Sequence, residues 1–254
     1  MGEGSCPTNS ASTDDLRPFC HSRQDVSNGD FPPGPHIGVI DSGHASAQTP
    51  RVAAARRFTL TADGVIAEAA AADPLGHGSA VLDAIASRAP SARFSVAQVF
   101  DKRGVTTPLQ VAAALEWLCQ RGVRLVNLSL GLRRDRPVLR QSCADLLAAG
   151  VLICAASPAR GGPVFPAHYP GVIRATGDAR CAVDQWSWLD SREADFAACV
   201  GAATGQAGAS LGCAAFSGHL AALLATHPAA ANDWLLQWLR DHAHYHGSER
   251  KTAP

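Results

Sequence analysis

The run His36-Ile-Gly-Val-Ile-Asp-Ser-Gly43 has the composition of a short, fully buried strand that is delivered directly into Asp41-Ser42-Gly43. Asp41 therefore stands at the carboxyl end of a strand, the edge of an open α/β sheet at which sites are built. Downstream, the Ala-rich stretch from Arg51 to Asp73 reads only as a strand or loop excursion. Asp73-Pro-Leu-Gly-His-Gly-Ser79 then leads into Ala80, Val81, Ile85 and Ala86 at helical spacing, so His77 opens a helix. Arg93 to Phe100 alternates as a strand does. Thr107 caps a helix with Pro108 at its first position and Gly122 as its stop. Val123 to Leu128 is a further strand, ending in Ser129-Leu130-Gly131. A helix over Pro137 to Ala149, stopped by Gly150, precedes the buried strand Val151 to Ala156. Strand and helix thus alternate with short connections. That order predicts an α/β fold of three layers, with a mainly parallel central sheet and helices on both faces.

Beyond Ala156 lies a loop rich in Pro and Gly, followed by a short strand from Val172 to Thr176, with shorter strands and turns over 178–207. The apolar run Leu211 to Leu224 has the length of a buried helix. An amphipathic helix over Asn232 to His242 puts Trp234, Leu235, Trp238 and Leu239 on one face. With 254 residues, 46% of them hydrophobic, one catalytic-size domain over 36–246 is expected, with a polar tail over 1–35 and a short tail over 247–254.

The formal net charge is zero, which gives nucleic acid nothing to recognise. No apolar run reaches the roughly 18 residues of a spanning helix, and the first twenty residues lack a signal-type hydrophobic segment, so a cytoplasmic protein without membrane contact is expected. The eight cysteines are scattered and none forms C-x-x-C, leaving zinc and thioredoxin chemistry without support. A Cys181–Cys199 disulfide stays open at this level. His242, His244 and His246 have no carboxylate or Cys partner at ligand spacing, so no metal or other cofactor is expected. Arg133, Arg134 and Arg136 read as an exposed charged loop or as a reader of an acidic substrate.

Gly208-Ala-Ser-Leu-Gly-Cys-Ala-Ala-Phe-Ser-Gly218 places Ser210 between small residues in the first turn of the apolar helix, where free N–H groups and the helix dipole favour developing negative charge. Alone, such a serine is more often an N-cap. Cys213, one turn on, is either a reactive thiol or a small apolar filler. Asp41, His77 and Ser210 together supply the parts of a nucleophilic hydrolase. A serine hydroxyl needs a base to take its proton, imidazole does this near neutrality, and a carboxylate fixes the imidazole tautomer.

The order Asp, His, Ser and the motifs around them resemble the subtilisin-like serine proteases, the subtilases. Ile37 to Gly43 is similar to the family's aspartate motif. Gly76-His77-Gly78-Ser79 is similar to its histidine motif, with Ser79 where threonine is usual and Ala80 where many members have a second histidine. Val126-Asn-Leu-Ser-Leu-Gly131 resembles the strand that pairs with bound peptide, and Gly208-Ala209-Ser210 the usual Gly-Thr-Ser. Gly218, Gly150 to Ala156, and Phe165 to Ile173 are also family-like, so the likeness spans residues 37–218. It implies a serine endopeptidase acting on a peptide or protein: Ser210 attacks, His77 is the base and Asp41 orients it. Ser129, Leu130 and Gly131 would offer a strand edge to the peptide, while Ala155, Ala156 and Ser157 would border the pocket for the side chain before the scissile bond.

Two departures stand out. The family's oxyanion asparagine is replaced: an ungapped reading puts Pro158 and Ala159 there, leaving the Ser210 backbone N–H, with Arg160, Ser157 or Asn127 as candidate second donors. Loss of that amide is worth about 10²–10³ in turnover. The residues before Asp41 are also too few and too polar for a folded pro-domain, so the chain is expected to fold unaided. Removal of a leader from one dedicated peptide would suit such a member. A peptide-binding protein that does not cut, and acyl transfer to an amine, remain the rival readings.

Overall fold

The computed structural model describes residues 34–200 and 208–249. The N-terminal tail up to 33, the 201–207 part of the expected strand-and-turn region, and 250–254 of the C-terminal tail lie outside these described residues.

Among the described residues ten strands form one sheet in the order β10-β8-β9-β7-β6-β5-β1-β4-β2-β3. They are β1 (His36–Asp41), β2 (Val52–Thr61), β3 (Gly64–Ala69), β4 (Arg93–Gln98), β5 (Leu125–Leu128), β6 (Leu152–Ala156), β7 (Ile173–Gly177), β8 (Trp186–Trp188), β9 (Phe196–Ala198) and β10 (Tyr245–His246). Pairing is parallel except for β2 with β3 and β8 with β9. Among the described residues the helices are α1 (His77–Ala86), α2 (Pro108–Gln120), α3 (Pro137–Ala148), α4 (Ala209–Thr226) and α5 (Asn232–Asp241).

Every residue of β1 is buried because both its faces are covered. Ile37 and Val39 pack with α1, α4 and α5 in one cluster, whereas Ile40 packs with α2 and α3 in the other. Period-two alternation in the strands therefore feeds two apolar cores, one on each face, and gives the three layers expected. The Ala-rich excursion resolves into a 3-10 turn over Ser46–Arg51 and the β2–β3 hairpin, whose outer strand is partly exposed. Alanine carries neither a strong strand nor a strong turn signal, so periodicity does not assign this edge. The two-residue β10, held parallel to β8, falls in what read as the end of the domain.

One expectation is corrected, and one open question is closed. Ala209–Thr226 does reach spanning length, at 18 residues with a mean hydropathy of 1.4, but 67% of it is buried in the protein, where it is the core helix of one layer. Cys181 and Cys199 are both free thiols, so no disulfide joins them.

α4 lies close against β7 through Gly212. A Cβ there would stand 2.3 Å from the Thr176 carbonyl oxygen and 2.5 Å from Gly177 Cα, contacts that require the helix to move. By helix propensity alone, Gly212→Ala would stabilise by about 1 kcal/mol. Steric overpacking of about 1–3 kcal/mol opposes it, and because the atoms met are backbone it should win. Urea unfolding of Gly212→Ala is therefore expected to show a lowered midpoint; a raised midpoint would contradict this packing.

Candidate active site

Parallel pairing brings the strand ends to one edge. Ile40 of β1 lies opposite Leu128 of β5, so Asp41 and Ser129 emerge side by side. α1 begins at His77 and α4 reaches the same edge with Ser210 in its first turn.

Asp41 is wholly buried. Its Oδ1 accepts the Ser42 N–H at 2.7 Å and the His77 Nδ1–H at 2.8 Å. Because an ionised carboxylate only accepts, Nδ1 carries the proton and the neutral ring keeps its lone pair on Nε2. The hydrogen bond from Asp41 raises the His77 pKa above 6.5; burial opposes the shift, and the charges of Asp41 and Asp73 add to it. The His77 side chain remains 29% exposed, open enough for its other nitrogen to meet a reactant.

Ser210 is held differently. Its Oγ donates to the Ser129 carbonyl at 3.2 Å, and Ser129 Oγ donates to the Ser210 carbonyl at 3.2 Å. Among the described residues no hydrogen bond joins Ser210 to His77, so the hydroxyl has to leave the Ser129 carbonyl before the imidazole can take its proton. As the second residue of α4, Ser210 presents a backbone N–H that has no acceptor within the helix.

The other predicted residues fall into two groups. Gly131 is exposed, whereas Ser129 and Leu130 are buried, and the next residue is already engaged: Leu132 pairs with Phe165 in an antiparallel bridge. Ala155, Ala156 and Ser157 continue β6 and are all buried. Ala159 and Arg160 lie in the exposed loop that follows, where alanine offers no side-chain donor.

Two of the candidate oxyanion donors are corrected by their hydrogen bonds. Ser157 Oγ is committed to the Glu193 carbonyl at 2.6 Å. Asn127 is fully buried, gives its amide to Ser129 Oγ at 2.9 Å and accepts from Ser217 Oγ at 3.0 Å. Asn127 thus ties the end of β5 to α4 and steadies Ser129 beneath Ser210. Cys213 is no reactive thiol either: burial first, and the Cys154 thiol 3.6 Å away second, push its pKa well up. His242 stacks on Trp238 and His244 meets the edge of Trp186, which absorbs both in aromatic packing.

The Asn127–Ser217 link could not be read from spacing, because 90 residues separate its ends. Asp73 carries no signal of a role in the sequence, yet it bonds Ser42, beside Asp41, and Ser79, two residues beyond His77.

No family model matches the chain. It is 30% identical over 178 residues to a thermostable alkaline protease of Halalkalibacterium halodurans, an alignment covering 66% of this chain and 46% of that protein. Subtilisin DY of Bacillus licheniformis is 27% identical over 153 residues, 54% of each chain. The chain thus spans about half the length of the curated relatives it matches. Among solved structures, S41 psychrophilic protease superposes with a TM-score of 0.63 at 17% identity, over 85% of this chain and 87% of that one. A cold-adapted subtilisin-like serine proteinase does so with a TM-score of 0.63 at 19% identity, over 84% of each. Likeness in sequence and likeness in fold converge on one group: the chain is similar to the subtilisin-like proteases and shares their fold.

Proposed function

We propose that this protein is a serine endopeptidase that hydrolyses peptide bonds with Ser210 as nucleophile, His77 as general base and then acid, and Asp41 as the group that orients His77. The observation that carries the reading is the 2.8 Å contact between His77 Nδ1 and the buried Asp41 carboxylate. It leaves Nε2 as the only ring position able to accept a proton. In the reaction Ser210 Oγ leaves the Ser129 carbonyl, gives its proton to Nε2 and bonds the substrate carbonyl carbon. The Ser210 N–H faces the oxygen on which charge develops. The protonated imidazole then gives its proton to the leaving amine, and water releases the acyl group by the same steps in reverse roles. The narrower assignment is leader removal from one dedicated peptide. A preference for a defined peptide over unfolded casein would support it.

A second reading has its own support. The Ser210 hydroxyl bonds Ser129 rather than His77, and Ala159 brings no amide to the oxyanion position, features that suit a groove that binds peptide without cutting it. Acyl transfer to an amine is separated from hydrolysis by product mass, since only hydrolysis adds water.

Treatment with a fluorophosphonate, followed by intact mass, decides between cutting and binding. The adduct is expected on the wild type and on neither Ser210→Ala nor His77→Ala, with peptide turnover in Ser210→Ala lower by about 10⁶-fold. A folded wild type that takes no label would favour the binding reading.

The raised His77 pKa sets the pH dependence. His77 must be neutral to act as base, so labelling should rise with pH through a midpoint above 6.5. Asp41→Asn removes the first cause of the shift; the midpoint should fall, and turnover should drop by about 10⁴-fold as the tautomer is lost. A midpoint unmoved by Asp41→Asn would contradict the pairing.

A further inference from the structure

We propose that Asp73 is a positioning residue for this site, a carboxylate clip that fastens the first turn of α1 to the end of β1 and so fixes His77 against Asp41. The proposal rests on the reading of Asp41, His77 and Ser210 as the working site.

Asp73 precedes His77 by one turn of loop and uses both carboxylate oxygens. Oδ1 accepts the Ser42 hydroxyl at 2.8 Å and the N–H groups of Leu75 and Gly76 at 3.1 and 3.0 Å. Oδ2 accepts the Ser79 N–H at 2.8 Å and the Ser79 hydroxyl at 2.7 Å. Gly76, the residue before α1, has no side chain to cap the helix, so Asp73 does so from outside by taking the N–H of its third residue. The Ser42 hydroxyl closes the circuit, since it accepts the Gly78 N–H at 2.9 Å while donating to Asp73. Ser42 adjoins Asp41 and Gly78 adjoins His77. The clip therefore grips both catalytic partners through their chain neighbours, and touches neither.

Backbone contact explains why such a clip can be exact in its effect. A Cβ on Gly78 would stand 2.3 Å from the Gly43 carbonyl oxygen, so the helix turn and the strand exit meet with no side chain between them. Burial works to raise the pKa of Asp73, but the hydrogen bonds from Ser79, Ser42 and Leu75 outweigh it and hold the carboxyl below its ordinary value. It is charged wherever His77 titrates, and its charge adds to that of Asp41 in raising the His77 pKa. Among the described residues these two carboxylates are the charges that act on His77; His44, from the loop after β1, is itself influenced by Asp73.

The test measures His77 directly, so that it does not depend on proteolysis. Imidazole signals are titrated by NMR in the Ser210→Ala background, with and without Asp73→Asn, and fluorophosphonate labelling rates are taken in parallel with Ser210 intact. Asp73→Asn keeps the size but puts an NH2 donor in place of one oxygen, so it cannot accept from Ser79 on one side and from Ser42, Leu75 and Gly76 on the other. A lower His77 pKa and labelling slowed by about 10-fold or more are expected, since misplacement of a reacting group by 1 Å is worth about 10²-fold. Ser79→Ala should slow labelling too, whereas Ser79→Thr, which keeps the hydroxyl, should retain the wild-type rate. This pair also serves if Asp73→Asn does not fold. An unchanged His77 pKa with an unchanged labelling rate, or equal rates in Ser79→Ala and Ser79→Thr, would overturn the proposal. A wild type that takes no label while Asp73→Asn still lowers the His77 pKa would defeat the protease reading and leave the clip standing.

Discussion

A carboxylate sealed inside a protein must be paired, because an isolated buried charge loses several kcal/mol of hydration. Asp41 meets that demand at the end of the central strand, through the Ser42 N–H and the His77 ring. Much of the molecule follows from the requirement. The strand must be central and parallel for its end to be buried, the helix after the hairpin must return to that end, and the loop between them must carry an acceptor that holds the turn. One oxygen of Asp41, Oδ2, has no partner among the described residues, so its pairing rests on Oδ1 alone.

The second half of the site is held by a different kind of force. α4 is apolar nearly all round, packed against the sheet and beside α1, and its first turn is tied to the end of β5 by hydroxyls rather than by charge. Asn127 and Ser217 form the buried part of that tie. Such a network fixes the backbone of Ser210 firmly while its hydroxyl rests on the Ser129 carbonyl. That division suits a nucleophile. It also explains how a chain could keep the groove and lose the chemistry, if nothing drew the hydroxyl away from Ser129.

The order of strands and helices was legible because buried parallel strands are short apolar runs and the helix stops are glycines. His77 and Ser210 were legible as helix openings for the same reason. What escaped was carried by weak local signals or by distance along the chain. The β2–β3 hairpin is written in alanine, arginine and threonine at a half-exposed edge, and β10 is two residues long. Asn127 and Ser157 looked like free donors because a sequence shows the groups and not their acceptors; the structure gives their hydrogens to Ser129 and Glu193. Asp73 was visible as a residue but not as a cap, since its bonds run to both sides of a turn whose shape was unknown.

The most direct test of the central claim is a crystal structure of the protein with a peptide boronic acid. The account predicts a covalent bond from Ser210 Oγ to boron, His77 Nε2 within hydrogen-bond reach of the adduct, and Nδ1 still on Asp41. A peptide bound in the groove with Ser210 Oγ still on the Ser129 carbonyl, and no bond to boron, would contradict it.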